Sequence, residues 1–120
     1  MDLRPDQALR RDQRGLPELI TVLTTTATEA DAEAIAEALL ADGLAACVQI
    51  TAVRSRYVWK GEIQREDEQL LLIKTRDALF EPVRARIRTL HPYETPEIIA
   101  LPVAAGDQDY LAWLAEATRA

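Results

Sequence analysis

The chain is short of several residue types, and each shortage removes a class of function. One cysteine, Cys47, cannot form an intrachain disulfide, and one cysteine plus one histidine, His91, cannot close the four-ligand nitrogen and sulfur shell that structural zinc prefers. No apolar run approaches the roughly 20 residues needed to cross a bilayer as a helix. The four glycines do not cluster into a phosphate-cradling loop. Positive charge is also scarce: 14 Lys and Arg stand against 20 Asp and Glu, for a net charge of -6. That balance argues against nucleic acid, whose recognition depends on clustered cations, and against docking on anionic lipid. What remains is 48% hydrophobic and 28% charged, the composition of a soluble globular protein, with reduced cysteine suggesting the cytoplasm. At 120 residues one core and one domain are expected.

The first residues, MDLRPDQALRRDQRGL, interleave arginines with aspartates and contain no apolar signal-peptide core. Residues 1–17 are expected to form a mobile extension, and 18–120 the domain. ELITVLTTT is apolar and β-branched, as a buried strand near residues 18–26 requires. Thr28 with Asp31 opens a helix whose inward face carries Ala32, Ile35, Ala36, Leu39 and Leu40, and Gly43 is placed to end it. LAACVQITAVRSRYVWK, residues 44–60, reads as one long strand with room for a bend midway. A turn at Lys60-Gly61-Glu62 leads into EIQREDEQLLLIKT, whose polar first half is expected to project as a hairpin arm. Leu79, Phe80, Val83, Ile87 and Leu90 fall at helical spacing, with Pro82 tolerated near the start. EIIALPVA supplies a last strand, which Pro102 assigns to a sheet edge. Asp107 caps a short final helix that turns Leu111, Leu114 and Tyr110 inward.

The order is α+β: β-α-β-β-α-β with an added C-terminal helix, the ferredoxin-like plan of an antiparallel sheet with helices on one face. Such a sheet keeps a bare face, and two strands well beyond the usual five or six residues extend past the core. Pairing of the arms between copies would satisfy both, so an oligomer is expected.

The chemical candidates are few. Cys47 lies in an apolar strand, where free cysteine behaves as a small hydrophobe. Lys74 ends the LLLIK run and can reach a cleft or a carboxylate such as Glu94. Glu62, Glu66, Asp67 and Glu68 read as a solvated acidic face. In HPYETPEI, residues 91–98, Pro92 ends the preceding helix at Leu90 or His91, and the two prolines suit a rigid connector to the last strand. His91, Tyr93 and Glu94 could also hold a small polar ligand or move a proton.

LAACV at 44–48, Ser55-x-Tyr57-x-Trp59-x-Gly61, IKT at 73–75, HPYETPEIIALPV at 91–103 and Gly106-Asp-x-x-Tyr-Leu-x-Trp113 together resemble the divalent-cation tolerance family, CutA. The resemblance runs from Glu18 to the C-terminus. It implies a cytoplasmic homotrimer of ferredoxin-like subunits with interlocking hairpins, similar in architecture to PII-type signalling proteins, and a link to tolerance of divalent cations, copper above all. It also implies Cys47 and His91 as the metal-touching positions, and Tyr57, Trp59, Lys74, Tyr93, Glu94 and Trp113 as cleft and interface residues. Three functions are then open. One is a non-enzymatic trimer binding copper, another divalent cation or a small ligand between subunits. The second is an enzyme using His91, Glu94 and Lys74 on a small polar metabolite, and the third is a stable scaffold for a partner protein.

Overall fold

The computed structural model describes residues 15–118, so most of the expected extension, residues 1–14, lies outside the described residues. The strands are β1 (Leu19–Thr26), β2 (Cys47–Trp59), β3 (Glu62–Arg76) and β4 (Ile99–Pro102); the helices are α1 (Glu29–Ala41), α2 (Phe80–Leu90) and α3 (Gln108–Glu116). They form one four-stranded antiparallel sheet in the order β2-β3-β1-β4, the ferredoxin-like arrangement.

Strand alternation assigns the two faces. Ile20 and Val22 of β1 and Leu71 and Ile73 of β3 point to one face, where they pack on Ala32, Ile35 and Leu39 of α1 and Val83 and Ile87 of α2. Thr28 caps α1, its hydroxyl accepting from the Asp31 amide at 3.1 Å. Leu40, expected inward, is 44% exposed and lies off that face. α2 begins after a 3-10 turn at Asp77–Leu79, so Pro82 falls in its first turn, where missing an amide costs little. It ends at Leu90 because His91 is already extended at ψ 130°.

The opposite face is covered at one end only. There α3 seats Leu111 and Leu114 on Leu19, and the Arg76 guanidinium donates to the Ala115 carbonyl at the helix's far end. Gly106 precedes α3 where a Cβ would come within 2.8 Å of the Leu111 side chain. The expectation of one bare face is therefore corrected for this end. Tyr110, expected inward, is 40% exposed.

β2 and β3 pair residue for residue from Cys47↔Lys74 to Trp59↔Glu62, so no bulge interrupts the long strand. Pairing of β1 with β3 stops at Thr26↔Gln69, and beyond it residues 53–68 form a two-stranded arm. Lys60 (φ 50°) and Gly61 (φ 81°) close the arm as a two-residue turn with both residues left-handed, the geometry that matches strand twist. β4 lies at the sheet edge as Pro102 requires, but spans four residues rather than the eight of EIIALPVA. Among the described residues no helix is long and apolar enough to cross a membrane.

Candidate functional site

Two polar clusters stand at opposite ends of the sheet face that α1 and α2 leave open. At the end near α3, Lys74 projects from β3, with Cys47 opposite it on β2 and Thr21 opposite it on β1. Its ammonium donates to the Tyr110 hydroxyl at 3.4 Å and lies 5.5 Å from the ring centre. Trp113 stands beside Tyr110 with ring centres 5.6 Å apart, and remains 49% exposed. The partner of Lys74 is therefore Tyr110 rather than Glu94.

The second cluster is built by HPYETPEI where β1 ends. The His91 ring is buried, with Nε2 2.7 Å from the Thr25 carbonyl and Nδ1 3.1 Å from the Tyr93 amide nitrogen. A carbonyl can only accept and an amide N–H can only donate, so Nε2 carries the proton and Nδ1 accepts. Both nitrogens are thus engaged within the chain. The ring lies 4.7 Å from that of Tyr93, whose hydroxyl donates to Glu68 at 2.8 Å. Burial, and next the hydrogen bond to Glu68, holds the Tyr93 phenol above its ordinary pKa of 10.0. Tyr57 on the arm is raised too, by desolvation and then by the neighbouring Glu66 carboxylate.

Glu68 departs from expectation. It is 5% exposed, not part of a solvated acidic face, because Tyr93 folds over it just past the last β1 pairing. A strand pattern gives no sign of this, since the covering residue comes 25 positions later. Glu94 is exposed, and its backbone carbonyl lies 3.5 Å from Arg88 Nη1.

These placements bear on each chemical reading. Lys74 and Glu68 are six residues apart on β3, about 20 Å. His91, Glu94 and Lys74 therefore do not converge within one chain, and neither do Cys47 and His91. The latter pair is separated by the four residue steps of β1 from Thr21 to Thr25, about 13 Å along the strand. Among the described residues no three of His, Cys, Asp and Glu come together as a metal site. With both imidazole nitrogens occupied, the donor set of a single subunit does not fit a bound metal. Cys47, Tyr57, Trp59 and Lys74 nevertheless share the open sheet face by register, while Tyr93 and Trp113 close on it from either end.

Residues 20–117 match the family described as CutA1 divalent ion tolerance protein. The divalent-cation tolerance protein CutA of Thermus thermophilus is 47% identical over 98 residues, which is 81% of this chain and 95% of the relative. The solved divalent cation tolerance protein from T. thermophilus superposes with a TM-score of 0.81 at 46% identity, covering 83% of this chain and 98% of that one. The rice CutA1 crystal structure gives 0.83 at 36% identity, covering 87% and 96%. The long hairpin, the edge strand carrying Pro102 and the helix packed on the far face are thus one architecture with these structures, and by sequence and fold together the chain belongs to the CutA1 divalent ion tolerance family.

Proposed function

We infer that the chain is a non-enzymatic binding protein of divalent-cation tolerance, working in the cytoplasm as a homotrimer. Its clefts between subunits take up a divalent cation, copper foremost, or a small polar ligand. One observation carries this reading: six of the eight positions marked by family resemblance lie on or against the open sheet face, where the Lys74 and Tyr93 clusters stand half-built about 20 Å apart. A neighbouring copy packed on that face would complete both clusters and cover the apolar side chains between them. A cation site would then draw ligands from more than one copy, with Cys47 as the soft donor.

The test joins assembly to binding. Sedimentation equilibrium on the full chain should give three times the monomer mass. Calorimetric copper titration of wild type and Cys47→Ser should show a site that weakens in the variant, whereas His91, with both ring nitrogens engaged, is not expected to be a ligand. A monomeric protein rules out the cleft reading, and equal copper affinity in wild type and Cys47→Ser rules out direct binding through Cys47.

A further inference from the structure

A cleft of about 160 Å³ opens at the end of the sheet opposite the arm, where the chain enters β1, leaves β3 and ends β4. Leu16, Pro17, Pro102 and Val103 give it apolar walls, and the exposed Glu18 and Asp77 add two carboxylates. Two backbone hydrogen bonds hold the walls in place: the Asp77 amide donates to the Glu18 carbonyl at 2.9 Å, and the Val103 amide to the Leu19 carbonyl at 3.0 Å. Neither acid makes an ion pair among the described residues, and Arg76, next to Asp77, turns its guanidinium to the Ala115 carbonyl instead. The cleft therefore joins apolar walls to uncompensated negative charge.

The segment that leads into this cleft has the complementary chemistry. Gly15, at φ 82°, is left-handed, so the chain turns just before the wall at Leu16 rather than entering in line with β1. Leu9-Arg10-Arg11 sets one apolar side chain beside two cations, and RRDQR at 10–14 holds three arginines against one aspartate. From Gly15 back to Leu9 an extended chain reaches about 20 Å, ample to double back over a cleft of this size. The tether also keeps the segment at an effective concentration in the millimolar range, so a weak contact is enough to fill the cleft. The family match starts at residue 20, so such a contact adds to the shared architecture rather than belonging to it.

We propose that Leu9-Arg10-Arg11 of the same chain docks in this cleft, with Leu9 against the Pro102 and Val103 wall and the arginines against Glu18 and Asp77. The contact ties the entry of β1 to the end of β4, whose pairing with β1 spans only four residues. A neighbouring copy or a free peptide would have to bring the same combination of one apolar residue and two cations without the advantage of the tether.

The experiment records amide NMR spectra of the full chain as wild type, Leu9→Ser and Arg10→Glu/Arg11→Glu. The amides of Leu16, Glu18, Asp77 and Val103 should shift in the same direction in both variants, while those of Leu39 and Ile87 in the core stay in place and report an intact fold. Salt at about 0.5 M should move the wild-type cleft signals the same way, because exposed ion pairs are screened. Dilution should leave them unchanged, as it does for a contact within one chain. Cleft amides that superimpose in all three proteins overturn the proposal. Wild-type shifts that disappear on dilution overturn it as well, in favour of a segment supplied by another molecule.

Discussion

At the scale of single residues, His91 and Tyr93 act as structural fasteners of the connector between α2 and β4. His91 ties the start of the connector to the end of β1, and Tyr93 ties it to β3 through Glu68. Replacing His91 with Ala leaves the Thr25 carbonyl and the Tyr93 amide without their partner. Urea unfolding should show a loss of about 1–3 kcal/mol, the cost of buried groups left unsatisfied. Tyr93→Phe removes the hydrogen bond to the buried Glu68 carboxylate and should lose a similar amount, about 1–3 kcal/mol. It also has a pH signature. A phenol whose pKa is raised by folding contributes stability that is complete below the unfolded value of 10.0 and declines as pH rises above it. Wild type should therefore lose stability above pH 10 more steeply than Tyr93→Phe, measured by urea midpoints across that range. The sequence displayed His91, Tyr93 and Glu94 as a possible chemical set. It did not show that both imidazole nitrogens are engaged, or that Glu68 is the acid Tyr93 meets, because those partners lie far along the chain.

At the scale of elements, local chemistry was sufficient where one element decides its own form. The Thr28 and Asp107 caps, the early Pro82 and the turn at Gly61 all lie where the residue pattern puts them. Gly61→Ala, at φ 81° with open space around its Cβ position, tests backbone strain without a packing effect. Thermal unfolding should register a loss of about 1–2 kcal/mol, the left-handed penalty for an L-residue. Sequence was insufficient where two elements compete. The eight residues of EIIALPVA, all but Glu97 apolar, look like a full strand, but β1 pairs only Ile99–Pro102. The helical spacing of DYLAWLAEATRA gives an apolar stripe without saying which sheet face will receive it. That face is chosen by Leu19 and Arg76, at the end of the sheet opposite the arm.

At the scale of the whole molecule, the open face is the feature a lone chain does not resolve. Leu23, Leu70 and Leu72 lie half-buried along its centre, and Ile99 and Leu101 on the β4 edge are each 49% exposed. Full burial of such a side chain is worth about 1.5–3 kcal/mol, so covering the exposed half of Ile99 and Leu101 contributes roughly 1 kcal/mol each per copy. A carboxylate in the middle of the covered patch would instead be desolvated without a partner, which costs several kcal/mol. Leu101→Glu is a sharp probe because the side chain is exposed in the single chain, where it sits opposite Thr21 and outside both buried clusters. The isolated fold should keep its circular dichroism spectrum while the assembled species dissociates. Sedimentation should then move from the mass of the assembled species to that of the monomer. The urea midpoint, which rises with protein concentration when unfolding is coupled to dissociation, should become independent of it. If Leu101→Glu sediments as wild type does, this face is not where the copies meet.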